Sequence, residues 1–138
     1  DALIKKILSA RVYDVATESP VHLAPFLSKR LGRSVFFKRE DLQPVYSFKC
    51  RGAYNKMVSI PKEILAKGVI AASAGNHAQG ISLGCKYLGI KATIVMPNNT
   101  PFEKIRKNID YGANVIIHGN NVLESEKHVN KLVEKYDF

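Results

Sequence analysis

The second half of the chain repeats one pattern three times: a short apolar run, then a segment whose apolar residues recur at helical spacing. The runs are residues 69–73, 92–96 and 115–117. Strands that are apolar without alternation are buried on both faces, which is typical of a parallel sheet covered by helices. Right-handed crossovers connect such strands. We therefore predict an α/β fold with three layers, αβα, around a mostly parallel, twisted sheet.

The first half is less regular, but its apolar spacing also predicts elements. We expect a helix over residues 2–9, a short helix marked by Leu23 that ends near Gly32, and a strand over residues 34–38. In the second half, the last of the three helices is expected to continue to Phe138.

The length of 138 residues suits about one domain. The sequence Ser59-Ile60-Pro61 is the best candidate for a boundary between two packing units, residues 1–61 and residues 62–138. Three clear parallel strands make a thin sheet, so we expect this chain to be part of a longer protein.

Charge and composition narrow the possible partners. The formal charge is +9, but the basic residues are scattered in pairs and lack the interleaved aromatics of nucleic-acid-binding modules. No apolar run approaches the ~20 residues of a membrane-spanning helix. The two cysteines and four histidines lack metal-ligand or redox spacing, so we expect reduced structural thiols and no metal. These features favour a small-molecule partner and disfavour nucleic acid and membranes.

The first candidate site is the turn between the first apolar run and its helix, residues 73–80, which read SAGNHAQG. Ligands of open α/β sheets bind outside the carboxyl ends of the strands. Small residues there admit a ligand, and the first helical N–H groups favour a carboxylate or a phosphate. However, the known phosphate fingerprints do not match. A tight turn shaped by Gly75 and capped by Asn76 explains the pattern about as well.

The same turn also lies one residue away from the G-x-S-x-G nucleophile elbow. In that interpretation Ser73 is a nucleophile, and Asp110 with His118 or His128 completes a triad. The first glycine of the elbow is missing, and Asn76 has no role in that mechanism. This alternative is therefore the weaker one.

The second candidate is Lys49, near the start of a predicted helix from about Phe48 to Val58 that Ser47 is placed to cap. A positive charge in the first helical turn opposes the macrodipole. Together with the flanking ring of Phe48, this favours the neutral amine, the form that attacks a carbonyl carbon. An ordinary exposed lysine among 21 basic residues is nevertheless the commoner case.

Taken together, residues 47–53 (SFKCRGA) and 73–80 strongly resemble the threonine dehydratase branch of the fold-type-II pyridoxal-phosphate enzymes. The longer stretch 38–49 resembles the biosynthetic type in particular. Three further positions also fit the family: Thr100-Pro101, Lys104 and Gly112-Ala113. The resemblance covers the whole chain. It implies pyridoxal 5′-phosphate as cofactor and deamination of L-threonine to 2-oxobutanoate and ammonia, the first step of isoleucine biosynthesis.

The resemblance also implies roles around the cofactor. Lys49 would hold the cofactor covalently and, once released, take the α-proton of the substrate. Phe48 would pack against the cofactor ring, and Asn76 would form a hydrogen bond to the 3′-oxygen of that ring.

For the substrate, the resemblance implies that Ser73, Gly75, Asn76 and His77 bind the carboxylate. Ala74 occupies the position where relatives that racemise serine have a second serine acting as acid and base. Alanine cannot transfer a proton, which favours dehydration over racemisation.

The family binds the cofactor phosphate with a glycine-rich loop far downstream, and no glycine-rich run follows Gly119. The implied architecture is therefore an incomplete fold-type-II enzyme: residues 1–61 begin the large cofactor domain, and residues 62–138 form the small α/β domain. We expect an N-terminal fragment that is inactive alone, taken from a protein that is a homo-oligomer at full length. The expected location is the cytoplasm or, in a eukaryote, an organelle stroma.

Two alternatives stay open. One is a serine/threonine dehydratase or serine racemase of the same family. The other is a non-catalytic α/β ligand-binding module.

Overall fold

The structure is a computed structural model that describes residues 1–136. Its helices are α1 (Ala2–Leu8), α2 (Pro25–Leu31), α3 (Lys49–Val58), α4 (Lys62–Leu65), α5 (Asn76–Leu88), α6 (Phe102–Asp110) and α7 (Val122–Tyr136). Its strands are β1 (Val21–Leu23), β2 (Phe36–Lys38), β3 (Val69–Ala72), β4 (Ala92–Met96) and β5 (Asn114–Ile117). Short 3₁₀ turns cover Val12–Asp14 and Glu40–Leu42.

The predicted parallel sheet is present. Strands β3, β4 and β5 lie side by side in chain order and all run in parallel. Helices α5 and α6 are the crossovers and pack on one face, whereas α7 packs on β3 and β4 from the other. The prediction of a three-layer α/β fold is confirmed, and each crossover helix begins at the carboxyl end of a strand.

The core lies between the sheet and the helices α3 and α5. The side chains of Ile94 and Met96, on the central strand, are fully buried there together with Ala78 of α5. Because strand side chains alternate, the intervening Val95 points to the opposite face and is fully buried as well. The uninterrupted apolar runs thus reflect burial on both faces of β4.

The structure differs from the sequence prediction around Leu23. This residue lies in β1, paired with Phe36 of β2 in an antiparallel ribbon, and the helix begins only at Pro25. Proline disfavours helical backbone in the residue before it and is well suited to the first helical position. The sequence analysis missed α4, which starts directly after Pro61; that proline is the N-cap residue and keeps an extended ψ of 138°.

The predicted helix end near Gly32 agrees with the structure. Gly32 adopts a left-handed backbone (φ 63°) after α2, and Gly112 likewise does so (φ 85°) just after α6. The last helix is described to Tyr136, so its expected continuation to Phe138 lies outside the described residues.

Candidate functional site

The turn that leads into α5 is built at the carboxyl edge of the sheet. The N–H group of Ser73 continues the β-ladder by donating to the carbonyl oxygen of Val95 at 3.1 Å. The N–H group of Gly75 then donates to the hydroxyl oxygen of Ser73 at 3.3 Å. This local hydrogen bond reverses the chain, so that α5 begins at Asn76. The free N–H groups of the first turn of α5 therefore lie at the edge where ligands of such sheets bind.

Lys49 is the first residue of α3. Its N–H group donates to the hydroxyl oxygen of Ser47 at 3.3 Å, as expected for a serine placed before a helix, although Phe48 is the residue at the N-cap position. The ammonium nitrogen of Lys49 lies 5.3 Å from the centre of the Phe48 ring. Both side chains are exposed in this structure.

Close packing of α3 on α5 brings Lys49 to the turn. A methyl group on Gly80 would lie only 3.0 Å from the carbonyl oxygen of Lys49, so the two backbones approach as only a glycine allows. One helical turn earlier on α5 is His77. Desolvation lowers the pKa of its ring, and the positive charge of Lys49 lowers it further. The two side chains are therefore close enough to interact electrostatically. The structure therefore brings Lys49 and the residues of the turn to one side of the molecule.

Asn76 also has a partner on another element. Its side-chain oxygen Oδ1 accepts a hydrogen bond at 3.0 Å from the ammonium of Lys104 on α6. Three helices thus converge at the turn, since α3 contributes Lys49, α5 contributes Asn76 and α6 contributes Lys104.

An ion pair that the sequence analysis did not identify holds the segment before α3. Two nitrogens of Arg51 donate to the two carboxylate oxygens of Glu40, at 2.7 and 3.0 Å. The hydroxyl of Ser19 donates to the same carboxylate at 2.5 Å, and the amide of Gln43 does so at 3.2 Å. These donors, Arg51 foremost, lower the pKa of Glu40 to about 2. In the sequence, the only indication of this ion pair was Arg51 itself, which lies within the motif around Lys49.

The serine hydrolase triad is not assembled. The rings of His118 and His128 stack on each other, with their centres 3.8 Å apart. His118 follows β5, which is separated from β3 and Ser73 by β4, a spacing of about 10 Å. Asp110 ends α6, at the end opposite the helix start that borders the turn. Ser73 therefore has neither the base nor the acid that a nucleophile needs.

Other classes of site find little support among residues 1–136. Within that range, no group of three or more metal-ligating side chains comes together. No helix in the same range has the length and apolarity to cross a membrane. Cys50 and Cys85 are both buried and free, as expected, and burial raises the pKa of the Cys85 thiol to about 12.

The chemistry of the turn suits a phosphorylated aldehyde cofactor. The primary amine of Lys49 can bond to an aldehyde carbon, and the adjoining ring of Phe48 offers an apolar face. The amide of Asn76 is held by its oxygen and keeps a donor for an oxygen on the ligand. The residues present thus fit the ring portion of pyridoxal phosphate.

The comparisons with known proteins agree with this chemistry. Residues 12–138 match the family described as pyridoxal-phosphate dependent enzyme. The chain is 53% identical over 131 residues to the chloroplastic biosynthetic threonine dehydratase 1 of Solanum lycopersicum, covering 95% of this chain and 22% of that protein. It is 50% identical over 131 residues to the L-threonine dehydratase of Pasteurella multocida, covering 95% of this chain and 26% of that protein.

Solved structures give the same result. The processed threonine deaminase isoform 2 of Solanum lycopersicum superimposes with a TM-score of 0.93 at 48% identity, covering 99% of this chain and 40% of that one. Maize serine racemase superimposes with a TM-score of 0.90 at 32% identity, covering 97% of this chain and 41% of that one. Because the family match extends over residues 12–138, the chain belongs to the family of pyridoxal-phosphate dependent enzymes.

Proposed function

We propose that the protein containing this chain is a biosynthetic threonine dehydratase, which converts L-threonine to 2-oxobutanoate and ammonia in the first step of isoleucine biosynthesis. The observation that carries the proposal is the approach of Lys49 to the start of α5, which Gly80 permits. An aldehyde cofactor requires an amine to bond to its aldehyde carbon, and an amino-acid substrate requires hydrogen-bond donors for its carboxylate. Both are present at one edge of the sheet. Among solved structures, the 48% identity to a threonine deaminase, against 32% to a serine racemase, supports this substrate.

Each residue has a task in the reaction. Pyridoxal phosphate, when bound, supplies the electron sink that stabilises negative charge on the α-carbon of the substrate. Lys49 would hold its aldehyde carbon and, with its amine free again, would take the α-proton of the substrate. Phe48 would cover one part of the ring, and Asn76 would donate from Nδ2 to the 3′-oxygen. The β-hydroxyl of threonine then leaves as water, and hydrolysis releases 2-oxobutanoate and ammonia.

The substrate carboxylate would lie at the start of α5. Ser73, Gly75, Asn76 and His77 would bind it together. The positive end of the helix macrodipole favours an anion at this place. Because burial and the charge of Lys49 lower the pKa of His77, the neutral ring is favoured, and it can donate one hydrogen bond without adding charge.

We further propose that residues 1–61 begin the large cofactor domain and that residues 62–138 form the small one. Helix α3 would be the link, since it belongs to the first segment but packs in the core of the second. The chain spans about a fifth of its curated plant relatives, so we expect this piece to be inactive alone. The full-length protein would be a homo-oligomer. It would lie in the cytoplasm or an organelle stroma, and the names of chloroplastic and mitochondrial relatives support the organelle.

Replacing Lys49 tests the proposal. In the full-length protein, Lys49→Ala is expected to abolish both the visible absorbance of bound pyridoxal phosphate and the turnover of L-threonine. Lys56→Ala, on an exposed position of the same helix, is the matched control and should leave both unchanged. Unchanged absorbance in Lys49→Ala would defeat the assignment of this residue.

A serine racemase of the same family is the second candidate, favoured by the superposition with the maize enzyme. Ala74 distinguishes a dehydratase from a racemase, because alanine cannot exchange a proton with the α-carbon of the substrate. The wild-type full-length protein should therefore deaminate L-threonine without converting L-serine to D-serine. Formation of D-serine at a rate comparable to threonine turnover would favour the racemase.

A further inference from the structure

The contact between Lys104 and Asn76 fixes which end of the Asn76 amide faces the ligand. An ammonium group has three donors and no acceptor, so the atom of Asn76 that meets it at 3.0 Å must be the oxygen Oδ1. The nitrogen Nδ2 is consequently turned away from Lys104. An asparagine without such a neighbour could rotate its amide by half a turn at little steric cost, and would then offer an acceptor in place of a donor.

Lys104 is itself held in place by a chain of hydrogen bonds between α5 and α6. The amide nitrogen of Asn108 donates to the backbone carbonyl oxygen of Lys104 at 2.8 Å. The hydroxyl of Ser82, on α5, donates to the side-chain oxygen of Asn108 at 2.7 Å. Both Ser82 and Asn108 are fully buried. Since buried, satisfied networks rigidify the elements they join, the register of α6 on α5 is set about one turn from Lys104.

The two links form a closed ring between the helices. Helix α5 supplies Asn76 and Ser82, and helix α6 supplies Lys104 and Asn108. The buried link needs only the backbone of Lys104, so the lysine side chain is not required to hold α6 in place. Its ammonium is directed to the amide of Asn76, in a contact that is exposed to solvent.

We propose that Lys104 is a positioning residue that orients the Asn76 amide, so that Nδ2 is presented to the 3′-oxygen of the cofactor. This inference rests on the proposed function. The hydrogen bond from Nδ2 to that oxygen changes the electron distribution of the bound cofactor. Loss of the Lys104 side chain should therefore alter a spectroscopic property of the cofactor even when the protein remains folded.

The test compares Lys104→Met and Asn76→Ala in the full-length protein loaded with pyridoxal phosphate. Lys104→Met should retain visible absorbance, because Lys49 is intact, but the midpoint of its titration with pH should shift in the same direction as in Asn76→Ala. The affinity for pyridoxal phosphate should fall by up to about tenfold, the scale of one hydrogen bond to a charged group. Arg106→Met, an exposed cation on the same helix, is the control and should leave the titration unchanged.

Two further variants make the result specific to the pair. The double variant should show no larger shift than Asn76→Ala alone, since Lys104 acts through Asn76. Lys104→Arg, which also only donates, should restore most of the wild-type titration. A wild-type titration in Lys104→Met, or additive shifts in the double variant, would overturn the inference. Neither result bears on the proposed function, which depends on Lys49→Ala losing its absorbance.

Discussion

Among single residues, Glu40 is the one whose contribution to the free energy of unfolding can be tested most directly. Its carboxylate accepts hydrogen bonds from Arg51, Ser19 and Gln43, and its pKa is lowered to about 2 from an ordinary value of 4.5. A group with a lowered pKa in the folded state stabilises the fold above its unfolded pKa, and this contribution is lost as the pH falls through the folded pKa. The contribution of Glu40 should therefore be complete above about pH 4.5 and should fade toward pH 2.

The expected outcome is that Glu40→Gln lowers the free energy of unfolding of the full-length protein near neutral pH, by about 1–3 kcal/mol. The difference from wild type should shrink between pH 4.5 and pH 2. Urea unfolding at a series of pH values measures this. Glu63→Gln, at an exposed position on α4, should show no such trend. A difference that is independent of pH would mean that the stabilisation does not come from the ionised carboxylate of Glu40.

The residues of the site could be predicted from the sequence only where the signal is local. Lys49 and the turn at residues 73–77 belong to short motifs, and their residues have the small or polar character that a ligand site needs. Glu40 is 11 residues from Arg51, and Asn76 is 28 residues from Lys104. Nothing in the composition around one member of such a pair indicates the other, because the fold alone brings them together.

At the scale of elements, the contact between α3 and α5 depends on two glycines that differ in their neighbours. A methyl group on Gly80 would meet backbone atoms of Lys49 and Cys50 at 3.0–3.2 Å. A methyl group on Gly84 would overlap the terminal methyl of Met57, which is the mobile end of a flexible side chain. The first contact cannot relax without moving a helix, whereas the second can relax by rotation of one side chain.

Gly80→Ala is therefore expected to destabilise the full-length protein by about 1–3 kcal/mol and to weaken cofactor absorbance, because the first turn of α3 is pushed away from α5. Gly84→Ala should be close to neutral, since the gain in helix propensity of about 1 kcal/mol offsets the cost of moving Met57. Thermal unfolding and the visible spectrum of both variants provide the comparison. Equal losses in the two variants would contradict this account of the interface.

The elements themselves were predictable to different degrees. The three strand–helix units were evident because uninterrupted apolar runs and glycine stops are local features. The ribbon of β1 and β2 was only half predicted, because its residues are exposed on both faces and show no periodicity. The partner strand and Pro25, rather than the apolar spacing, decide that Leu23 is extended.

On the scale of the whole molecule, the first third of the chain exposes an unusual amount of apolar surface. Phe26 is 91% exposed, and Phe36 and Phe37 on β2 are 59% and 51% exposed. A two-stranded ribbon is marginally stable without a covering layer. Phe26 and Phe37 line one surface cavity, whereas Phe36 lies on the other face of the ribbon. Exposed apolar surface of this kind marks contact with further protein, in line with the proposal that residues 1–61 begin a larger domain.

Residues 1–138 produced alone are expected to associate and to bind a hydrophobic dye, because these exposed apolar side chains would be covered only in the proposed larger domain. Replacing Phe26 and Phe36 by Ser should reduce both effects. Leu123→Ser, at a 69% exposed position on α7, is the control and should change neither. Sedimentation velocity and dye fluorescence give the answer, and a monomer without dye binding would contradict the expectation.

The close contact at Gly80 has a consequence for motion. Because the backbone of α3 rests directly on α5, we expect both helices to move as one block with β3 and β4. If that block swings relative to the rest of the full-length protein during turnover, the amine of Lys49 and the turn proposed to bind the carboxylate would travel together. Paramagnetic labels on the exposed sides of α3 and α5 would then stay at a constant distance from each other throughout the catalytic cycle. Opening and closing would change only the distance from these labels to a third label outside the block.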